Sequence, residues 1–270
     1  MDPAAARRAF ADLHRDGTFT IPNPWDLGSA RLLAHLGFAA LASTSSGFAA
    51  SLGARDQQVT ADELVDHAAA LCAAVEVPVH VDAEDGHGAT AADVTATVER
   101  LVAVGVAGVS IEDHDPSAGV IRDVDDAVDR VAAAAAVCAP AGVVLTARAE
   151  NHLYDAGDLD DTISRLRRYA EAGADVLYAP GLADLDDIAR VVTAVDRPVN
   201  VLALRHGPSA PDLAGVGVRR ISTGGSLAWA AYGAVVAAVE ELRGPGTSTY
   251  LDAALPAAIR DAAWGREPRA

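Results

Sequence analysis

The feature that most constrains the fold of this chain is an unbroken alternation between short apolar runs and amphipathic helical segments. Near-continuous apolar strands that alternate with helices are typical of parallel strands buried on both faces. The eight candidate strands are "TFTIPN" (18–23), "FAALAST" (38–44), "VPVHVDA" (77–83), "AGVSIED" (107–113), "GVVLTAR" (142–148), "ADVLYAP" (174–180), "RPVNVLA" (197–203) and "VRRISTG" (218–224).

The number and order of these units predict an α/β fold of the barrel type. Eight successive strand–helix units fit a (β/α)8 barrel better than an open doubly wound sheet. A chain of 270 residues is long enough for one such domain. No linker or low-complexity segment divides the chain, so we predict a single domain over residues 1–270, with residues 245–270 as a C-terminal helical extension. Thr60 with Glu63, and Thr90 with Asp93, form capping-box patterns that mark two helix starts.

Composition excludes several classes of function. The net charge of −17 argues against nucleic acid or an anionic membrane as the main partner, because both require a basic patch. All 21 basic residues are arginine, which excludes Schiff-base and P-loop lysine chemistry. Cys72 and Cys138 lie in Ala-rich helical stretches, where cysteine is usually structural. With neither a secretory signal pattern nor an apolar run of membrane-spanning length, we expect a cytoplasmic protein that acts on a small molecule.

Polar residues collect where the predicted strands end. In a (β/α)8 barrel the active site lies at the carboxyl ends of the strands. The strand ends therefore predict one polar mouth, and its members are Asn23–Asp26, Ser43–Ser46, Asp82–Asp85, Glu112–His114, Arg148–His152, Tyr178–Pro180, Asn200 and Ser222–Gly225.

Carboxylates at the ends of the third and fourth strands are candidate metal ligands. Because side chains alternate along a strand, Asp82 and Glu84 are expected to share a face, and Glu112 can converge on the same point. Carboxylates without a lysine nearby suit a hard divalent cation, Mg²⁺ or Mn²⁺. The alternative is a helix-capping cluster. We expect Asp82 and Glu84 to meet the metal ion and Asp85 to cap the following helix.

Arg148 ends the fifth strand, where an unpaired guanidinium would be costly. It either pairs with carboxylates across the mouth or binds an anionic substrate, and we favour the substrate role. The small-residue segment "STSSG" (43–47) offers hydroxyl and N–H groups that could hold carboxylate or phosphate oxygens, although a plain turn would look the same. His114 follows a strand end and is a candidate acid or base. Asn200 is a further candidate substrate ligand.

The ordered set of motifs resembles the isocitrate lyase/phosphoenolpyruvate mutase superfamily. The resemblance runs from "NPWDLGSARLLAHLGFAALASTSSGFAASLGARD" through "VPVHVDAEDGHG", "GVAGVSIED" and "TARAE" to "GADVLYAPG", over roughly residues 18–240. It implies a (β/α)8 barrel whose last helix is swapped between subunits of a homodimer or homotetramer. It also implies Mg²⁺ chemistry on small 2-oxo or 2-hydroxy carboxylates through an enolpyruvate-like intermediate.

The resemblance implies roles for single residues as well. The implied metal ligands are Asp82, Glu84, Glu112 and Asp56, the last two acting through metal-bound water. The residues implied to hold the substrate are Ser43, Thr44 and Ser45, which match the loop for the pyruvyl carboxylate, and Arg148, which matches the substrate-binding arginine.

The segment after the fourth strand departs from the superfamily pattern. The lyases carry a Lys-Lys-Cys-Gly-His motif there and the mutases a Lys-containing gating loop, whereas "IEDHDPSAGVIRDVDD" has neither Lys nor Cys. Decarboxylation or retro-aldol cleavage, with His114 or Asp113 as the acid, needs only an enolate and a modest proton donor. The leading hypothesis is therefore a Mg²⁺-dependent C–C lyase or decarboxylase of a small di- or tricarboxylate. The alternatives are a phosphonate-type P–C bond enzyme and a catalytically inactive binding barrel.

Overall fold

Eight parallel strands form a nearly closed barrel in the computed structural model, which describes residues 1–265. Two further short strands pair with each other as an antiparallel hairpin. In chain order the strands are β1 (Phe19–Ile21), β2 (Leu41–Ala42), β3 (Val79–Asp82), β4 (Gly108–Glu112), β5 (His114–Asp115), β6 (Val120–Ile121), β7 (Val144–Arg148), β8 (Val176–Tyr178), β9 (Val199–Leu202) and β10 (Arg220–Ser222).

The barrel strands confirm the sequence prediction, since each lies inside one of the eight predicted runs. The strand order around the barrel is β1-β10-β9-β8-β7-β4-β3-β2, with every neighbouring pair parallel. Between β2 and β1, the backbone N–H of Ala42 donates to the carbonyl oxygen of Pro22 at 3.1 Å. The hairpin of β5 and β6 was not predicted. It occupies the segment after the fourth barrel strand.

Helices follow the barrel strands and cover their outer face. Four of them, α2, α4, α5 and α9, begin with a full capping box, including the two predicted at Thr60 and Thr90. The helices are α1 (Pro3–Leu13), α2 (Leu27–His35), α3 (Ser45–Ser51), α4 (Ala61–Ala74), α5 (Ala91–Ala103), α6 (Val124–Ala141), α7 (Leu159–Glu171), α8 (Leu185–Ala194), α9 (Ala210–Gly215), α10 (Ser226–Arg243), the 3-10 helix η1 (Thr249–Ala253) and α11 (Ala257–Trp264).

Strand alternation divides the buried side chains into two sets. Residues such as Val81, Val109 and Leu145 point outward and pack with the helices in the main hydrophobic core. The inward positions of the same strands are polar towards the carboxyl ends, with Asp82 and Ser110 among them. The sequence therefore builds a dry outer layer and a polar interior at one end of the barrel.

Helix α1 closes the opposite end of the barrel. Phe10 is fully buried and packs edge-on against Phe19, with ring centroids 6.5 Å apart. Gly108 on β4 leaves room for this plug, because a Cβ there would stand 2.6 Å from the Phe10 ring and 2.5 Å from His80 Nδ1. Helix α1 thus fills the barrel interior at the amino end of the strands, opposite their carboxyl ends.

The C-terminal segment departs from a simple barrel. Helix α10 buries only Ala228, although it is rich in large apolar residues. Helix α11 lies beside α2, where Trp264 Nε1 donates to the Gly28 carbonyl at 3.0 Å. Of the predicted extension over 245–270, residues 266–270 lie outside the described residues. Among the helices of residues 1–265, none has the length and apolar character needed to span a membrane.

Candidate active site

A cavity of about 180 Å³ opens at the carboxyl end of the barrel, where the sequence predicts the active site. Its upper wall carries Ser45, Ser46, Asp56 and Pro180, and its floor reaches into the barrel interior. The predicted site residues that line it are Ser43, Thr44, Ser45, Asp56, Asp82, Arg148 and Asn200. Glu84, Glu112, Asp113 and His114 are not among the described residues that line it.

Arg148, the last residue of β7, is held by three carboxylates. Its Nη1 donates to Asp82 Oδ1 at 2.7 Å and its Nε donates to Glu150 Oε1 at 2.8 Å, while Nη2 lies 3.2 Å from Glu112 Oε2. The guanidinium also lies over the Tyr178 ring, 5.4 Å from its centroid. Of the two arrangements left open by the sequence, pairing across the mouth is the one present. Arg148 still lines the cavity and can also meet a substrate.

The carboxylates around Arg148 carry more negative charge than one guanidinium balances. Burial raises the pKa of Glu112 well above its ordinary value, although Arg148 opposes the shift. Burial likewise raises the pKa of Glu150. For Asp82, burial is outweighed by Arg148 and by hydrogen bonds to its carboxylate, so the pKa of Asp82 lies below its usual value. Of these three carboxyl groups, Asp82 is therefore the one whose surroundings favour the ionised form.

The turn after β3 differs from the prediction at two positions. The strand ends at Asp82, so the alternation that would align Glu84 with it does not continue, and Glu84 has a left-handed backbone with φ of 50°. Burial and the neighbouring Asp82 and Asp56 raise the pKa of Glu84 to about 8. The prediction that Asp85 caps a helix is wrong: Thr90 caps α5, and Asp85 is paired instead with Arg122 at 2.8 Å and with Arg130 at 3.3 Å.

A chain of side chains connects the mouth to His114. Gln57 Nε2 lies 3.0 Å from His114 Nδ1 and donates to Glu112 Oε1 at 3.3 Å. The His114 ring stacks on Tyr154, with centroids 4.3 Å apart and planes 3° from parallel. Burial lowers the pKa of His114. His114 therefore stands behind Glu112 and Gln57 rather than on the cavity wall.

Asp113 is enclosed by structural partners. Its Oδ2 accepts a hydrogen bond from the Tyr169 hydroxyl at 2.6 Å and from Arg165 Nη1 at 3.2 Å, and its Oδ1 accepts from the Glu150 N–H at 2.8 Å. Its exposed fraction is 2%. The structure thus ties Asp113 to α7 instead of bringing it to the cavity, because odd-numbered positions of this strand end face the helices.

The serine-rich segment is the start of a helix rather than a loop. Ser43 Oγ accepts a hydrogen bond from the Asp82 N–H at 2.9 Å, and Thr44 is the N-cap of α3. Ser45 begins α3, and its hydroxyl hydrogen-bonds Asp56, whose pKa is nevertheless raised by burial and by Asp82. Hydroxyl groups and the first turn of α3 therefore line the same cavity as Arg148.

Several site residues escaped the sequence analysis. Glu150 was seen only as part of a strand end, and its spacing of two from Arg148 could have identified it as a partner. His80 and Arg220 line the cavity from inside the barrel. Nothing in a single sequence shows that these interior positions reach the ligand space, because the same alternation would also produce a filled barrel.

The donor set suits a hydrated divalent cation. Within residues 1–265, no three His, Cys, Asp or Glu side chains stand close enough together to enclose a metal ion directly. Mg²⁺, however, commonly keeps several waters and takes only one or two carboxylates. The raised pKa values of Asp56 and Glu84 arise from burial and then from neighbouring carboxylates, and an added cation would relieve that repulsion. The residues present therefore fit a metal bound mainly through Asp82 and water.

Comparison with known proteins relates the whole barrel to characterised enzymes. A family model described as phosphoenolpyruvate phosphomutase matches residues 10–243. An uncharacterized protein of Mycobacterium tuberculosis is 34% identical, covering 80% of this chain and 81% of its own length. The 2-methylisocitrate lyase of Escherichia coli is 28% identical over 70% of this chain and 66% of its own. The oxaloacetate decarboxylase of Chromohalobacter salexigens is 29% identical over 81% and 78%.

Solved structures with names from the same kinds of enzyme are also similar to this chain. A crystal structure of a protein from Burkholderia cenocepacia, named for a lyase or mutase activity, is 45% identical with a TM-score of 0.93, covering 98% of this chain and 97% of its own. Oxaloacetate acetylhydrolase in complex with its product oxalate is 26% identical with a TM-score of 0.87, covering 97% and 95%.

Proposed function

The chain belongs to the phosphoenolpyruvate phosphomutase family, a family of lyases and mutases that act on small carboxylates, and from this premise we propose its reaction. We propose a Mg²⁺- or Mn²⁺-dependent decarboxylation or C–C cleavage of a small 2-oxo or 2-hydroxy di- or tricarboxylate. The observation that carries the proposal is a single cavity lined by Arg148, by its ion-pair partner Asp82 and by the serine-rich start of α3.

The size of the cavity supports a small substrate. Its volume of about 180 Å³ lies below the roughly 300–1,000 Å³ that is common for larger ligands. Its wall combines an arginine with hydroxyl groups, which are donors for carboxylate oxygens. A small 2-oxo or 2-hydroxy di- or tricarboxylate matches both properties, and the names of the relatives include oxaloacetate and methylisocitrate enzymes.

The chain's own residues supply binding and charge stabilisation. Ser45 and the start of α3 hold the carboxylate of the 2-oxo acid end, and Arg148 faces the oxygen that becomes negative in the enolate. Asp82 would hold a divalent cation, with Asp56, Glu84 and Glu112 as further candidate ligands through water, and the bound ion would supply positive charge that stabilises the enolate. In decarboxylation the carboxylate on the carbon next to the oxo carbon leaves as CO₂, the electron pair of the broken C–C bond forms the enolate, and water then protonates the enolate carbon.

The positions of the two candidate acids favour decarboxylation over retro-aldol cleavage. A retro-aldol step requires a base for the hydroxyl proton and an acid for the departing carbanion. Neither His114 nor Asp113 lines the cavity in the described part of the chain. Decarboxylation of a 2-oxo acid whose second carboxylate is β to the oxo group requires no side-chain acid for bond cleavage, so it uses only groups that are in place.

The proposal is tested by pyruvate release from oxaloacetate with Mg²⁺ or Mn²⁺ present, set against a blank of metal without protein. Methylisocitrate and 2-alkylmalates are assayed in parallel for retro-aldol cleavage. We expect the rate with oxaloacetate to exceed the metal blank, and the Asp82→Asn variant to fall to it. An exposed control on α5, Glu99→Gln, retains the wild-type rate. Rates equal to the blank with every substrate would refute the proposed reaction.

A phosphonate-type reaction is the second candidate, because the matched family is described by a phosphomutase. Phosphorus NMR of phosphonopyruvate incubated with the protein and Mg²⁺ separates the two candidates. A new phosphate-ester or inorganic phosphate signal supports P–C bond chemistry. An unchanged phosphonate signal, together with pyruvate release from oxaloacetate in the first assay, supports decarboxylation.

We also propose that the protein is a homo-oligomer in which α10 packs on a second copy. The support is the apolar face of α10, where Trp229, Tyr232, Val235, Val236 and Leu242 are exposed in the single chain. An apolar surface of this kind on one helix is characteristic of a protein–protein interface.

A further inference from the structure

The floor of the cavity carries a second arginine that the proposed chemistry leaves without a role. Arg220 begins β10, is 3% exposed, and lines the same cavity as Arg148. Its Nη2 donates to Thr146 Oγ1 on β7 at 3.0 Å, so its side chain extends across the barrel interior. Arg148 lies on the wall of the cavity and Arg220 beneath it.

The two arginines differ in their charge partners. Arg148 contacts three carboxylates, whereas within residues 1–265 no carboxylate lies within 4.0 Å of Arg220. The Arg220 guanidinium donates to Asn200 Oδ1 at 2.8 Å and to Thr146, and its Nη1 lies 3.4 Å from His14 Nε2. These partners are a side-chain amide, a hydroxyl and an imidazole.

Nearby groups do not neutralise Arg220 either. Burial and then Arg220 lower the pKa of His14 to about 3, and the same two causes lower the pKa of His80, so both rings are neutral. The floor of the cavity thus holds one positive charge without a counter-ion from the described chain. An isolated buried charge is costly, and the three groups it touches only partly offset the loss of water.

A guanidinium has five N–H donors in a planar fork that matches a carboxylate. The Nε, Nη1 and Nη2 atoms of Arg220 each use one N–H group on a neutral partner. The remaining N–H groups of Nη1 and Nη2 can donate to an anion in the cavity. Asn200 lines the same cavity, and its hydrogen bond to Nε helps to fix the position of the guanidinium plane.

We propose that Arg220 is a specificity-determining residue that binds the distal carboxylate of a dicarboxylate substrate. This inference rests on the proposed function for the 2-oxo or 2-hydroxy acid end, which meets Arg148, Asp82 and the start of α3. Arg220 then selects substrates with a second carboxylate that reaches the floor, over substrates that end in a methyl group.

The test compares, by titration calorimetry with Mg²⁺ present, two ligands of equal chain length that lack the 2-oxo group required for decarboxylation. Malate has the distal carboxylate, and 2-hydroxybutyrate has a methyl group in its place. Oxalate, which occupies only the 2-oxo acid end, reports on the proposed function by itself. We expect wild-type protein to bind malate more tightly than 2-hydroxybutyrate. We expect Arg220→Met to lower the affinity for malate roughly 30-fold or more.

Arg220→Met is expected to leave the affinities for oxalate and 2-hydroxybutyrate within about 2-fold of wild type, because neither ligand offers Arg220 a distal carboxylate. The matched control is Arg219→Met, which removes the preceding arginine, a half-exposed side chain bonded to the Gly17 carbonyl, and leaves all three affinities unchanged. Arg220→Lys keeps the charge and is expected to retain part of the malate preference, which covers the case in which Arg220→Met does not fold.

Two outcomes overturn the proposal. Equal wild-type affinities for malate and 2-hydroxybutyrate would do so without any variant, and so would an Arg220→Met protein that loses affinity equally for all three ligands, since that result describes a structural arginine. Absence of oxalate binding in wild type contradicts the proposed function instead, so the two failures are distinguishable.

Discussion

Arg148 and Asp82 are hydrogen-bonded to each other, with Nη1 and Oδ1 2.7 Å apart. The sequence suggested one of them as a substrate ligand and the other as a metal ligand, and the structure joins both in one network with Glu112 and Glu150. The carboxylates hold the guanidinium at the mouth before any ligand arrives. A change at either residue therefore alters charge balance as well as binding.

Replacing Arg148 is expected to reduce both activity and stability. Arg148→Gln removes the charge that faces the enolate, so kcat/KM for the best substrate falls about 100-fold or more. The variant also leaves three buried carboxylates without their cation, which costs about 3–5 kcal/mol of unfolding free energy at pH 8. The cost is smaller at pH 5, because carboxyl groups whose folded-state pKa is raised take up protons as the pH falls.

Urea unfolding at the two pH values measures this difference, with the exposed Arg190→Gln as the control. If Arg148→Gln loses activity but keeps the wild-type free energy of unfolding, the carboxylate network does not depend on Arg148.

Mg²⁺ is expected to stabilise the folded protein through Asp82. A ligand that binds only the folded state at 100 times its Kd adds about 2.7 kcal/mol. A domain of this size gains about 2–4 °C in Tm for each kcal/mol. Scanning fluorimetry with and without Mg²⁺ should show a rise of several degrees in wild type and none in Asp82→Asn. An equal rise in both proteins would place the metal elsewhere.

Glu84 predicts a pH dependence of stability in the metal-free protein. Its pKa is raised from 4.5 to about 8, first by burial and then by Asp82 and Asp56. A carboxyl group with a raised folded-state pKa contributes stability that is full below its unfolded pKa and is lost as the pH rises through about 8. The loss amounts to a few kcal/mol, at about 1.4 kcal/mol for each pKa unit.

Chemical unfolding in a chelator from pH 4 to pH 9 tests this prediction. Glu84→Gln should flatten the decline between pH 5 and pH 8, whereas Glu99→Gln on the exposed face of α5 should not. A decline of the same size in Glu84→Gln would assign it to other groups.

The barrel could be predicted from the sequence because its signal is repeated. Eight apolar runs with helix starts between them fix strand number and order, and the strand ends fix one polar mouth. Asp82 and Arg148 are found this way because they are the last residues of their strands, where alternation still holds. Glu84 lies two residues further on, in a turn with a positive φ, and there alternation no longer predicts where a side chain points.

The partners of charged residues were not predictable from one sequence. The pairing of Asp85 with Arg122 and Arg130 joins segments that are far apart in the chain, and it depends on the hairpin after β4. Arg220 was read as part of a strand, and only the closed barrel shows that it faces the ligand cavity without a carboxylate. Local pattern identifies strand ends, whereas charge balance requires the folded arrangement.

The apolar face of α10 predicts an oligomer that a single charge can break. Val235 is 59% exposed in the single chain, so Val235→Glu costs little within one copy and is unfavourable between two packed copies. Size-exclusion chromatography with light scattering should show wild type at two or four times the mass of one chain and the variant at a smaller mass. Glu240→Ala on the same helix serves as the control. A monomeric wild type would contradict the proposed assembly.

Asp113 provides a test that separates a structural carboxylate from a catalytic one. Its oxygens accept hydrogen bonds from Tyr169, Arg165 and the Glu150 N–H, and it is 2% exposed. Asp113→Ala leaves the Tyr169 hydroxyl and a partly buried guanidinium without their acceptor, so we expect a loss of about 3 kcal/mol or more in unfolding free energy. Because the side chain points to α7, activity per folded molecule should change less than about 5-fold. The pH profile of kcat should also keep its wild-type midpoint. A shifted midpoint with unchanged stability would instead identify Asp113 as the proton donor of the reaction.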